Sequence, residues 1–384
     1  MNDKTDLTQS GGISRRHFLK GGVAGVAGVA GLAGLYNARA SQTENTVPAQ
    51  VKHDERGLGT VGKVDHAANG FHPDELLYDF DYGELLEEGE RTVRRWRIWA
   101  LDREFEVAPG VHFPGWVYGS ETSAASRRRG GVVGQCPGPS LRCVEGEWLQ
   151  IEFINASSHP HTIHFHGIHH ARMDGVPATG AGGNVLPGES FTYEFEADPF
   201  GCHLYHCHSL PLKRHIHKGL YGAFIVDPDP GKVGGDLQTV ARSRHHQSPE
   251  NAEVNEMVMV MNGFDTNFDG DNEIYAVNSI AFAYGQHSPI PIRADQLQRI
   301  YLVNVTEFDP INSFHLHANF FHYYDHGTTL EPTLKTVDTI MQCQAQRGIL
   351  EFSFRGFEPG LYMFHAHQSE FAELGWMGFF QVEV

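Results

Sequence analysis

The sequence predicts an all-β protein built as two small β-sandwiches in tandem. Three observations carry that reading: a turn-rich composition, a succession of short alternating strands, and an internal repeat that returns the same parts in the same order. Forty-three glycines and nineteen prolines among 384 residues, with 11% aromatic and 20% charged side chains, suit a chain that reverses often and buries one sheet face. The formal net charge of −18 argues against a nucleic-acid partner. Histidine is in excess at 25, which points to metal.

Residues 1–40 read as an export signal. The run Ser14-Arg15-Arg16-His17-Phe18-Leu19-Lys20 resembles the twin-arginine motif, and the Gly/Ala/Val stretch after it is short and glycine-rich for a stable membrane span. Cleavage after Ala40 and a periplasmic or secreted protein are expected. Residues 41–91 are polar, acidic and Gly-rich, an extension expected to drape over the body. Gly57, Gly59 and Gly62 match the spacing of a dinucleotide fingerprint but lack its strand-turn-helix context, so they read as loop.

The first sandwich spans 92–230, with strands expected over 93–99, 148–154, 191–195 and 222–226. Turn signals at Pro137-Gly138-Pro139 and Leu186-Pro187-Gly188 punctuate it. A linker over 231–251 follows, then a second sandwich over 252–384. There Ile300 to Asn304 stands where Ile151 to Asn155 stood, and Glu358 to His367 mirrors Asp198 to His208. Met257, Met259 and Met261 alternate as in a core strand. The acidic run Asp265 to Asp271 starts like a calcium loop, but Ala276 stands at its twelfth position, so a hairpin turn is expected.

Four His-x-His pairs punctuate the strands: His164/His166, His206/His208, His315/His317 and His365/His367. On extended chain, residues i and i+2 share a face, so each pair aims two imidazoles at one point. Cys207, between His206 and His208, must point the other way and serve a second metal site. A thiolate with two imidazoles is the blue-copper ligand set, and His161 and His215 offer the imidazoles, with His217 a rival for His215. Leu220 occupies the axial position, so no sulfur is expected there. His159, His169 and His170 read as surface or supporting residues. Cys136, Cys143, Cys202 and Cys343 are available for two disulfides of open pairing, and no C-x-x-C pair is present.

The stretches His161 to Gly167, Met173 to Pro177, Pro187 to Phe191 and Tyr205 to His208 together resemble the multicopper oxidase family, over nearly the whole chain after the signal. The two-domain, laccase-like members are the most similar class. The resemblance implies two cupredoxin-like Greek-key domains and four coppers per monomer. One is a type 1 copper on His161, Cys207 and His215; a trinuclear cluster, one type 2 and two type 3 coppers, sits on the eight paired histidines. It implies one-electron oxidation of phenolic, aromatic or metal-ion donors coupled to reduction of dioxygen to water, in a homotrimer with clusters at subunit junctions. Asp174 matches the family's aspartate behind the cluster; Glu370 is a further proton-donor candidate, and Glu373 stays open. Asn312 and Ala366 stand where a second blue site needs histidine and cysteine, so that site is expected only in the first domain. A copper nitrite reductase and a non-catalytic copper or electron-transfer protein are the rival readings. The negative charge favours cationic or neutral donors.

Overall fold

The computed structural model describes residues 52–54, 57, 59–233 and 254–384. The export segment 1–40 and most of the 231–251 linker lie outside the described residues. The described residues, from Lys52 onward, belong to one compact unit.

Four sheets make up the body, in two pairs. Residues 80–227 supply a five-stranded sheet, ordered Phe80–Asp81, Ser140–Val144, Tyr221–Asp227, Gly201–His206, His164–Phe165. They also supply a facing sheet, Val133–Gln135, Val111–Ser120, Arg91–Ala108, Trp148–Asn155, Ser190–Glu196. Residues 254–383 repeat this wiring. Val254–Phe264 runs parallel to Leu297–Asn304 as Arg91–Ala108 runs parallel to Trp148–Asn155, and Gly360–His365 pairs with Met377–Glu383 as Gly201–His206 pairs with Tyr221–Asp227.

Side-chain alternation explains how the sheets pack. In Trp148–Asn155 every second residue is buried, with Leu149, Ile151 and Phe153 inward. In Val254–Phe264 both faces are covered: Met257, Met259 and Met261 enter the core of the second pair, while Val258 and Val260 pack with Leu204, Ala223 and Ile225 of the first. The methionines are core residues, as their spacing predicts, and the seam between the halves is itself a hydrophobic core.

The extension is more integrated than its composition suggests. Phe80–Asp81 pairs with Ser140–Val144, and Glu84–Glu88 with the start of Arg91–Ala108. Pro73–Tyr78 forms a short helix with proline at its start; its Leu76 and Leu77 enter different cores, so the segment fastens both halves. All five cysteines are free thiols. Cys136 and Cys202 sit in the seam core, Cys143 lies with Cys207 in the first core and Cys343 is exposed, so the disulfides left open by the sequence do not form.

A chain of charges crosses the seam. Arg142 grips Asp227 (2.7 Å) and Glu256 (2.8 Å), and Arg299 joins Glu256 (3.1 Å) to Glu351 (2.6 Å), with the Tyr301 hydroxyl donating to Glu256. Burial pushes the Glu256 carboxyl up, but the two guanidiniums outweigh it and hold it at about 2. Arg299→Met leaves Glu351, which has no exposed side-chain surface, without its cation. Chemical denaturation is expected to show a loss of about 3–5 kcal/mol.

Candidate metal centre

Two kinds of side-chain group converge at the ends of the strands, and the segment after Gly201–His206 serves both. His206 pairs with His164 across the sheet, the Cys207 amide donates to the Leu220 carbonyl (3.0 Å), and the His208 amide donates to Thr162 Oγ1 (2.9 Å). Those bonds keep the chain extended, so Cys207 points into the first core while the imidazoles point out of it.

Cys207 Sγ lies 3.3 Å from His215 Nδ1 and 3.8 Å from His161 Nδ1, and the two nitrogens are 3.1 Å apart. The point equidistant from these atoms lies about 2 Å from each, the length of a metal–imidazole bond. The donor set therefore fits copper, whose preferred blue site is two imidazoles and a thiolate. Burial, then His215, pulls His161 down to about 3, and burial pulls His215 down to about 4, so both rings are neutral. Burial raises the Cys207 thiol, partly offset by hydrogen bonds from Ser209 and Thr162. Leu220 is buried in the same core as Cys207 and offers no donor. His217 is elsewhere: its Nε2 accepts the Asp265 amide (3.0 Å) and its ring packs on Phe113 and Phe308.

His215 is only 3% exposed, so its imidazole edge is covered. Trp116 covers it, its ring centroid 4.9 Å from that of His215 and 5.2 Å from that of His161. The sequence carries no signal for this residue, because it comes from a distant strand.

The paired histidines form two groups of the same design. In the first, His166 Nε2 and His206 Nε2 approach to 2.9 Å, with His164 and His208 beside them. In the second, His317 Nε2 and His365 Nε2 are 2.9 Å apart, with His315 and His367 beside them. Backbone carbonyls orient the rings identically: Asp174 O takes His164 Nδ1 (2.7 Å), Asp338 O takes His315 Nδ1 (3.0 Å), and His206 and His365 bond the carbonyl of the following residue. Each such Nδ1 donates, which leaves Nε2 as a lone pair for metal. Burial, then His206, brings His166 down to about 2, and burial holds His206 at about 3.

Among the described residues no ligand group combines the two halves. The first borders a cleft of about 210 Å³ walled by Leu204, Ile216 and Val305; in the second, His317 and His367 are exposed. The paired histidines thus gather in two sets: the donor atoms of His164, His166 and His206 converge in the first and those of His315, His317 and His365 in the second, with the rings of His208 and His367 alongside.

Asp174 stands behind the first group, its carboxylate 3.1 Å from His164 Nδ1 and 3.4 Å from His169 Nε2. Gly175 makes this approach possible: its φ is +68°, and a Cβ there would lie 2.0 Å from the Ile163 carbonyl oxygen. Asp338 is its counterpart, unmarked in the sequence. Glu370 and Glu373 are exposed at the two ends of the Ser369–Glu373 helix.

The second half has lost its blue site at every position. Asn312 and Ala366 replace histidine and cysteine. The shared backbone pattern, Ala366 amide to Trp376 carbonyl and Trp376 amide to Phe371 carbonyl, puts Phe371 where His215 stands and Trp376 where Leu220 stands. Trp376 donates to Asn312 Oδ1 (3.1 Å) and closes the position.

These lowered values give a pH dependence. The unfolded histidines protonate near 6.5, and the folded ones resist to about 4 or below. Between those limits the unfolded chain binds more protons, so stability is complete above 6.5 and falls as pH drops toward 3. Urea midpoints of the metal-free protein are expected to decline from pH 7 to pH 4, less steeply in His161→Gln.

Comparison with known proteins agrees with this geometry. Family models described as multicopper oxidase match residues 118–231 and 248–384. A crystal structure of a multicopper oxidase superposes with a TM-score of 0.72 at 50% identity, covering 84% of this chain and all of the other. A copper nitrite reductase from Nitrosomonas europaea has a TM-score of 0.58 at 21% identity over 76% of this chain and 94% of its own, a likeness of fold. A probable nitrite reductase-hydroxylamine oxidoreductase fusion protein of Kuenenia stuttgartiensis is 28% identical over 72% of this chain and 30% of its own length. L-ascorbate oxidase of Cucurbita maxima is 36% identical over 32% of this chain and 20% of its own. The chain spans about a third or less of the length of the curated relatives it matches. The chain, with its two cupredoxin-like sandwiches, belongs to the multicopper oxidase family.

Proposed function

We propose that this protein is a laccase-like oxidase, taking electrons singly from a small donor and using four of them to reduce dioxygen to water. The carrying observation is the pair of matching histidine groups, in which His164 and His315, and His206 and His365, are oriented by the same backbone bonds and a fourth histidine, His208 or His367, stands alongside. A copper nitrite reductase, the nearest rival, has no use for the fourth histidine of each group, and a copper carrier has no use for either group.

Copper on His161, Cys207 and His215 supplies one-electron redox chemistry, and copper on the histidine groups supplies multi-electron reduction of dioxygen. The chain's own part is coupling, orientation and proton supply. Cys207 is bonded through its main chain to both His206 and His208, so a short covalent path links the thiolate to the first histidine group. Trp116 and the first core keep water from the thiolate. Asp174 and His169, in line behind His164, form a chain of protonatable groups leading away from the histidines. Because each histidine group is half of a set, a second copy of the chain is needed to close it, which supports a homotrimer with the first half of one subunit against the second half of the next. The motif at Ser14 to Lys20 supports twin-arginine export to the periplasm or beyond.

The purified protein is expected to carry four coppers per chain, the stoichiometry typical of the family, and an intense blue thiolate band. Cys207→Ser is expected to lose the band and one copper while keeping the other three. A band that survives this substitution refutes the assignment. Anaerobic turnover of nitrite without oxygen uptake selects the rival.

A further inference from the structure

The helix that carries His215 turns cations toward a cleft beside the blue-site residues. Lys213, Arg214 and Lys218 line a cavity of about 650 Å³ whose opposite wall is Phe268, Phe308 and the loop from Asp265. Each cation rests on an aromatic ring: Lys213 Nζ is 3.9 Å from the centroid of Phe308, Arg214 Cζ 5.0 Å from that of Trp116, and Lys218 Nζ 5.0 Å from that of Phe268. Stacking of this kind fixes a cation in place without neutralising it.

Among the described residues none of the three forms an ion pair within 4 Å and the exposed heads of Lys213 and Arg214 make no hydrogen bond, although the carboxylates of Glu307 and Asp102 act on Lys213 and Lys218 through space. Lys218 gives one N–H to the Pro114 carbonyl. The acids of the cleft are turned into their own loop: Asp265 accepts the amides of Asp269 and Gly270, and Asp269 accepts that of Asp271. Burial, then Arg214, lowers the proton affinity of Lys218, partly offset by Asp102. The volume suits a small organic molecule, and Phe268, 52% exposed, offers it a face.

We infer that this cleft binds an anionic aromatic electron donor, a phenol bearing a carboxylate, with its ring against Phe268 and Phe308 and its carboxylate on Lys213 and Arg214. The inference rests on the oxidase reading above and names the donor that reading leaves open. Arg214 touches the Trp116 ring, which touches His215, so a bound donor is one aromatic layer from the blue-site ligands. Each phenol gives up one electron and its hydroxyl proton to become a phenoxyl radical. Four such donors supply the four electrons and four protons that convert one dioxygen to two waters.

The test compares para-hydroxycinnamate with its methyl ester on the copper-loaded enzyme, by anaerobic calorimetry for affinity and by oxygen uptake for KM and kcat. At low salt the acid is expected to bind about tenfold more tightly than the ester. Salt is expected to erase the difference. Lys213→Gln and Arg214→Gln are each expected to weaken the acid about fivefold, through KM and not kcat, and to leave the ester unaffected. Lys213 touches Phe308 and none of the blue-site residues, so it carries the test alone if Arg214→Gln disturbs the blue band. Equal binding of acid and ester, or acid affinity indifferent to both substitutions, overturns the inference and leaves the oxidase reading standing. Carboxylate-selective binding with no oxygen uptake from any phenol does the reverse.

Discussion

Both metal-binding groups of the first half depend on three residues of extended backbone, His206 to His208. In a helix their side chains would fan out around the axis, and no two consecutive positions would serve opposite sites. Extended, they serve two sites at once: the thiolate enters the core, and the imidazoles leave it. Three neighbours hold that geometry, the His164 strand, the Leu220 carbonyl and the Thr162 hydroxyl. Thr162 has a further part, since its amide donates to Cys207 Sγ (3.4 Å). One residue thus pins the chain on one side and addresses the sulfur on the other.

The second half keeps this backbone and discards half of its chemistry. Ser313 replaces Thr162 and takes the His367 amide (2.8 Å), so the imidazoles stay aimed. On the inner face the ligand positions became packing positions. Asn312 is the informative one, because a buried amide is costly unless its hydrogen bonds are met. Here the Trp376 indole, the Ser313 amide and Thr306 meet them. Four substitutions close one another's gaps, and reverting a single one would restore no site.

Period-two patterning made much of this legible. The His-x-His spacing, the isolated thiolate at Cys207 and the repeated order of strands depend on alternation along one chain, which sequence displays directly. The choice of His215 over His217 did not, because both lie on one short helix and only its packing turns one toward Cys207. Trp116, Asp338 and the parallel pairing of strands such as Arg91–Ala108 with Trp148–Asn155 were invisible for the same reason: each is a contact between distant segments. Composition misled once. Cysteines suited to an oxidising compartment remain free thiols, while the acidic, glycine-rich extension, expected to drape over the body, also contributes strands and buried leucines.

Charge shows most sharply where a property of the whole chain stops being informative. A net −18 is an average over a large surface, and salt screens its field beyond about 8 Å. What a small donor meets is set by the few groups within that radius. Beside His215 those are two exposed cations held on aromatic rings, with the Asp265 and Asp269 carboxylates turned to backbone amides of their own loop. The whole-chain charge acts on diffusion and solubility, whereas selection among donors that have already arrived is local. With His215 covered by Trp116, a donor cannot press on the ligand itself, so affinity has to come from the surrounding surface, and that surface is cationic and aromatic.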